Sequence, residues 1–332
     1  MSDNFELEKK ILNLIKAFND NLFEDVIKNA TEIYNDNKNI SILPNLIGAS
    51  YAGKNDHQNA IKFFEKAKKL DFNNPEILNN LGKSLIAVRL YDEAIDCFQK
   101  SLKLDNKNFD TYFNLGIIYF DLGNYSESLK NYNVAIKLNN KVDKIYYNIA
   151  ITLSKIGNNK EATKFFLETL KLNPKHIKAL NNLGLQYLND NKYDLSLYYL
   201  KMAIELDINY SKAYNNIAAL YLQNKNYNLA LKYFEKAFDL DKSLVVAGIQ
   251  KHFLKRIFCD WTNDAELKTI LTNTTTSNDQ VSPWFCLSME DNINNHYLRA
   301  TKFSSKFNLL NENNNNYLNK KIKIGYYAAD FH

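Results

Sequence analysis

Cysteine is scarce in this chain. There are three in 332 residues, Cys97, Cys259 and Cys286, and their odd number and wide spacing argue against a disulfide frame or a zinc site. Free thiols in a reducing compartment are expected instead. Apolar runs of the ~20 residues needed to span a bilayer are absent, and mean hydropathy is -0.42, so no membrane helix is expected. Residues 1–10 mix Asp3, Glu6 and Glu8 with Lys9 and Lys10 and lack the apolar stretch of a secretory leader, which predicts a cytoplasmic protein. Charge of one sign is nowhere concentrated. The formal net charge is only +5, and lysines alternate with acids, as in Glu65-Lys66 and Glu235-Lys236. That is the pattern of solvated helical surface, and it argues against nucleic-acid partners. A glycine-rich phosphate loop, a His-Glu-x-x-His pair and a nucleophile elbow are likewise absent. His57, His176, His252 and His296 share no ligand spacing and read as packing or surface residues. No catalytic residue, metal site or cofactor site is expected in this chain.

A hydrophobic content of 45% nevertheless excludes wholesale disorder, and the apolar residues recur with a long period. Leu81-Gly82, Leu115-Gly116 and Leu183-Gly184 align with Ile47-Gly48, Ile149-Ala150 and Ile217-Ala218 at steps of 34 residues or twice that. Small residues follow at fixed offsets (Ala60, Ala94, Ser128, Ala162, Ser196, Ala230, then Ala67, Ser101, Ala135, Thr169, Ala203, Ala237). Between them stand Phe64, Phe98, Tyr132, Phe166, Leu200 and Phe234. This resembles the tetratricopeptide repeat, in which small residues mark close helix crossings and an aromatic fills the remaining gap. The phase gives repeats at 41–74, 75–108, 109–142, 143–176, 177–210 and 211–244, with a degenerate one at 7–40 built on Asn13-Leu14, Phe23 and Ala30. Each holds two helices by its i, i+3, i+4, i+7 apolar spacing, with Gly123-Asn124 and Gly157-Asn158 as turns between halves. Asp71, Asp105, Asn139, Asn173, Asp207 and Asp241 close the repeats, and the family's following proline survives only as Pro174. The expected fold is all-α: a right-handed superhelical solenoid of tetratricopeptide helix pairs with a concave groove for extended peptide. Residues 1–6 are expected to form a tail.

Asparagine is abundant, so any argument from it rests on position. Asn80, Asn114, Asn148, Asn182 and Asn216 stand one period apart, each just before the Leu/Ile-Gly/Ala pair. Two readings are open: a local hydrogen bond within each first helix, or a ladder of amides that donate to and accept from a partner's main chain. Four residues earlier lie Glu76, Asp110, Lys144, Lys178 and Lys212 on the same helical face. These are either scattered solvated charges or a groove whose sign changes, its lysine half suited to acidic partner segments.

The pattern continues for one further half-repeat, 245–256, with Gln250 at the ladder position, and then changes. Three landmarks follow: Cys259-Asp260-Trp261, Val281-Ser282-Pro283-Trp284-Phe285, and the terminal Lys321-Ile322-Lys323-Ile324-Gly325-Tyr326-Tyr327-Ala328-Ala329-Asp330-Phe331. Their order resembles the junction between repeat arm and catalytic domain in the protein O-linked N-acetylglucosamine transferase and SPINDLY family. The resemblance implies an arm that recruits acceptor proteins for a nucleotide-sugar-dependent glycosyltransferase, with UDP-N-acetylglucosamine or GDP-fucose as donor. The domains it implies after 7–244 are a half-repeat and Cys-Asp-Trp junction at 245–271, a linker and small helical region at 272–319, and at 320–332 an orphan first β-strand of the catalytic fold. Alternating Ile322, Ile324 and Tyr326 fit such a strand. Linkers are expected at 272–280 and 311–320, around a helical region at 281–307. The family's His near the reaction centre would fall two positions past His332, so the donor site is absent and no glycosyltransferase activity is expected from this chain alone. The alternative is a free-standing adaptor for acidic C-terminal peptides: Lys144, Asn148, Asn182 and Lys212 resemble a carboxylate clamp, with Asn216 where such clamps carry Arg.

Overall fold

The computed structural model describes residues 2–260, 264–276, 294–295, 298–299 and 301. Among the described residues all regular structure is α-helical, and the helices run as antiparallel neighbours in pairs. The pairs are α1 (Ser2–Asn19) and α2 (Phe23–Asp36), α3 (Ile42–Gly53) and α4 (His57–Leu70), α5 (Pro75–Ala87) and α6 (Tyr91–Leu104), α7 (Phe109–Asp121) and α8 (Tyr125–Leu138). They continue as α9 (Asp143–Lys155) and α10 (Asn159–Leu172), α11 (Ile177–Asn189) and α12 (Tyr193–Leu206), α13 (Ser211–Gln223) and α14 (Tyr227–Leu240), α15 (Val245–Ile257) and α16 (Asp264–Thr276). The chain divides into two compact units, Met1–Leu183 and Gly184–His332, with the boundary inside α11.

Turn chemistry explains why helices start and stop on this period. Asn21, Asn55, Arg89, Gly123, Gly157, Asn191, Lys225 and Cys259, one period apart, all adopt positive φ between 57° and 81°. This left-handed residue reverses the chain between the two helices of a pair, and Gly123 and Gly157 do it without a Cβ penalty. The next residue caps the second helix: Asp56, Asn124, Asn158 and Asn226 each accept a hydrogen bond from the backbone N–H three residues on. The repeat-closing residues Asp105, Asn139, Asn173, Asp207 and Asp241 accept from the backbone N–H two residues on, bending the chain toward the next first helix.

The small residues stand where the helices of a pair meet. A Cβ added to Gly48, Gly82 or Gly116 would lie 2.8, 2.7 or 2.4 Å from a ring carbon of Phe64, Phe98 or Tyr132, and one on Gly184 would lie 2.6 Å from Leu200 Cγ. The rings and Leu200 are themselves buried. In the first pair the bulk is exchanged. Leu14 stands at the glycine register and Ala30 at the aromatic one, and both are buried in one cluster with Val26. That repeat is thus degenerate in sequence and sound in packing. Within the first unit each second helix from α2 to α8 packs between the first helix of its own pair and that of the next, and α1, α3, α5, α7 and α9 also touch in succession.

Three expectations are corrected. The tail at 1–6 is taken up by α1, which begins at Ser2 and runs to Asn19 with no glycine or proline to break it. The half-repeat at 245–271 is a whole helix pair, because Leu267, Ile270 and Leu271 of α16 join Phe238, Ile249 and Leu254 in one core. The first part of the linker expected at 272–280 is helical, since α16 runs to Thr276 and Thr272 and Thr274 bond back to the carbonyls of Lys268 and Leu271; residues 277–280 lie outside the described residues. Trp261, the 281–285 segment, the linker at 311–320 and the strand at 320–332 lie outside the described residues, as do Cys286, His296 and most of the 281–307 region.

Candidate peptide-binding groove

In the first unit the ladder asparagines sit on successive first helices: Asn80 on α5, Asn114 on α7, Asn148 on α9 and Asn182 on α11. Asn114 is buried and the others are half-buried. Two of them are tied to the preceding repeat. Asn80 Nδ2 donates to Asn45 Oδ1 at 3.3 Å, and Asn182 Nδ2 donates to Tyr147 Oη at 3.1 Å. These bonds run between first helices. They leave each amide its carbonyl oxygen and a second N–H, the pair needed to bind one peptide unit. Asn216 lies half-buried on α13 in the second unit.

The column just before the ladder, which holds its partners Asn45 and Tyr147, was not singled out by sequence. Asn45 is buried, and so is Asn79, which accepts from Thr111 Oγ1 of the following first helix at 3.2 Å. The available signal was the doublet: Asn79-Asn80, Asn181-Asn182 and Asn215-Asn216 each carry an asparagine just before the ladder residue.

Of the charged positions, Glu76, Lys144 and Lys178 are exposed and Asp110 is half-buried, 3.9 Å from Lys83 Nζ. In the second unit Lys212 is exposed; Asp241, held below the usual carboxylate range first by its hydrogen bonds from Ser243, also feels that charge. Around Lys144 and Lys178 the first unit forms a small polar cluster. His176 caps α11, its Nδ1 accepting from the Ala179 N–H at 3.1 Å, and its ring lies 4.7 Å from that of Tyr147. Burial pushes the His176 pKa down, against the pull of Asp143, and the two lysines push the same way as burial. Burial also raises the Tyr147 hydroxyl. His176 is therefore neutral near pH 7, with Nε2 carrying the proton because Nδ1 accepts.

In the second unit the Leu-Gly register is held by Lys251 and His252. Both are buried, at 6% and 4% exposure, and both bond Glu266 Oε2 of α16, at 2.6 and 3.0 Å. Gln250 at the ladder position is buried too. Cys259 occupies the left-handed turn register of the same period, so the repeat itself accounts for it, whereas α16 begins only at Asp264, four residues past Asp260. Cys97 is a buried free thiol raised by burial to about 11. Among the described residues no cluster of His, Cys, Asp and Glu could hold a metal ion, and no helix is long and apolar enough to cross a membrane.

Comparison with known proteins agrees with this geometry. Models of the tetratricopeptide repeat match residues 45–74, 143–176, 165–198 and 211–244, and a TPR repeat model matches 91–123 and 118–157. The 143–176 and 211–244 matches share the phase read from sequence. The chain is a tetratricopeptide repeat protein. Among solved structures it is similar to one in the APC/C hetero-tetramer Cut9-Hcn1, with TM-score 0.62 and 18% identity over 74% of this chain and 48% of that one. It is also similar to PilF of Pseudomonas aeruginosa (TM-score 0.57, 14% identity, 65% of this chain and 96% of that one). A third is the C-terminal part of a TPR repeat-containing protein from Cytophaga hutchinsonii (TM-score 0.54, 18% identity, 71% and 97%). At these identities the likeness is one of fold. No curated protein matches the chain.

Proposed function

We propose that this chain is a protein–protein interaction scaffold that holds extended peptide segments along its first helices, through the amides of Asn80, Asn114, Asn148, Asn182 and Asn216. What carries the reading is the inter-repeat bond from the Nδ2 of Asn80 and Asn182. A side-chain amide is planar, so fixing its nitrogen against the preceding helix also fixes the carbonyl oxygen, and an oriented amide loses less entropy on binding. The test is the triple replacement of Asn114, Asn148 and Asn182 by Ala. Each lost amide costs about 0.5–1.5 kcal/mol for a neutral hydrogen bond. Unrelated peptides should weaken alike and with little dependence on salt, and unchanged titrations would refute the ladder.

Within this reading, recruitment of acceptor proteins for a nucleotide-sugar-dependent protein O-glycosyltransferase rests on the resemblance of the C-terminal landmarks. The repeat period accounts for Cys259 as a turn residue, so the 281–285 and 321–331 segments carry most of that resemblance. Reading the source gene beyond His332 tests it: two Rossmann-like lobes support the glycosyltransferase arm, and a stop codon favours an adaptor. The adaptor reading draws on the exposed Lys144, Lys178 and Lys212. It predicts binding confined to acidic peptides and lost at high salt.

A further inference from the structure

One second helix of the array, α12 in the second unit, has an outer face unlike the others. Its inward residues are Ser196, Leu200 and Ala203, all buried, so at about 100° per residue the opposite face is centred on Tyr198. Tyr198 is 57% exposed and Leu195, one turn before it, is 44% exposed, with half-buried Met202 one turn after. In other repeats the Tyr198 position holds Lys62, Asp96, Lys130, Lys164 and Lys232, and the Leu195 position holds Glu93, Glu127 and Glu161. Each of the four second helices before α12 carries an ion pair along its own length: Glu65 with Lys68, Asp96 with Lys100, Glu127 with Lys130 and Glu161 with Lys164, at 2.6 to 3.3 Å. With Leu195 and Tyr198 in those registers α12 makes no such pair among the described residues, and its exposed Asp194, Lys201 and Glu205 have no ionic partner there. The Tyr198 ring is held from beneath, edge-on to Tyr199 at 5.1 Å, and Tyr199 stacks on Tyr187 at 5.6 Å. A bulky apolar face at registers that are otherwise charged marks a contact surface.

We propose that this face is a two-fold contact with the α12 of a second copy of the chain, the two helices antiparallel and meeting at Tyr198. The order of residues along α12 selects that occupant. Asp194 and Leu195 stand four and three residues before Tyr198, and Lys201 and Met202 stand three and four after it. By helical angle Asp194 and Lys201 lie on one flank of Tyr198, and Leu195 and Met202 lie on the other. A two-fold axis across the contact reverses the helix direction and sets each flank against its own kind. At 1.5 Å rise per residue, Asp194 then comes within about 1.5 Å of the height of the second copy's Lys201, and Leu195 as near to that of its Met202. Both pairings occur twice, and Tyr198 packs on the second copy's Tyr198. Lys201 thus lies between that Asp194 and its own Glu205, four residues on. Lys192 is turned aside, 3.5 Å from Asp190 and over the Tyr187 ring. A parallel second copy would set Asp194 against Asp194 and Lys201 against Lys201, and a partner segment of one charge sign would repel one of the two.

Sedimentation velocity of the full chain over roughly 1–200 µM tests the contact. One helix face per copy is a small interface, so a monomer–dimer equilibrium with its midpoint in that range is expected. A two-fold contact closes on itself, so the limiting mass is twice the 38.6 kDa of the chain, with no larger species. Tyr198→Lys restores the residue usual at this register on an exposed site; it should leave the circular dichroism unchanged and weaken the dimer at least about ten-fold. Asp194→Lys and Lys201→Asp should each weaken it about ten-fold, since one reversal is felt twice across the axis, and the two reversals together should return the dimer to within about three-fold of the parent. The Asn114, Asn148 and Asn182 triple variant should dimerise like the parent, because the first-helix groove takes no part. A monomer throughout the range would overturn the inference and leave the face to a different protein. So would a dimer that Tyr198→Lys does not weaken, a double reversal no better than the single ones, or loss of the dimer in the asparagine variant.

Discussion

Exchanging knob and hole within one helix pair tests the packing logic of the whole array. In the pair α7 and α8, Gly116 faces Tyr132, and a Cβ on Gly116 would lie 2.4 and 2.5 Å from ring carbons of the buried tyrosine. In α1 and α2 the same two registers carry Leu14 and Ala30. Gly116→Leu alone overpacks a full site, at about 3 kcal/mol, the upper end for such changes. Tyr132→Ala alone removes a buried ring, at about 3–5 kcal/mol. Combined, the leucine fills the space the ring leaves, so the double variant should be less destabilised than the sum of the singles by ~3 kcal/mol, the upper end for residues in contact. Urea unfolding followed by far-UV circular dichroism gives the three stabilities. Because a repeat stack is stabilised mainly by nearest-neighbour contacts, amide exchange in α7 and α8 locates the loss. Additive losses would refute the reasoning, since they would mean that each pair is a unique fit and not one design with the bulk on either side.

Three further outcomes follow from the same structure. Arg89 pays for positive φ where Gly123 and Gly157 do not, so Arg89→Gly should stabilise by about 0.5–1 kcal/mol, a rise of roughly 2 °C in Tm by calorimetry. His252 is held below its usual pKa by burial, with Lys251 and Lys255 adding to the effect and Glu266 opposing it. A depressed histidine favours the folded state above its unfolded value of about 6.5, and that contribution is lost as pH falls through and below this value. The α15–α16 pair should therefore open more readily at pH 5 than at pH 7.5, as read by hydrogen exchange, and His252→Gln should flatten the difference. Asp56→Ala, which removes the side-chain cap of α4, should cost about 1 kcal/mol in urea unfolding.

How much of this was legible in advance depends on whether a feature is local to one period. The left-handed turn residue, the Asx caps, the small residues at helix crossings and the aromatic in the gap all act within 34 residues of one another. Their physics therefore appears as a column in the sequence, and the all-α array with its phase could be read from it. Tertiary contact decided what crosses from one repeat to the next or breaks the column. The Nδ2 groups of Asn80 and Asn182 bond the preceding first helix, at Asn45 and Tyr147; a hydrogen bond across 35 residues to two different chemistries leaves no common letter to read. Leu14 and Ala30 look like decay until the volumes are seen to be exchanged between facing helices. Lys251 and His252 look like the end of the repeat, yet Glu266 of α16 satisfies both and completes an eighth pair, because a buried charge is tolerable only where the fold brings it a partner.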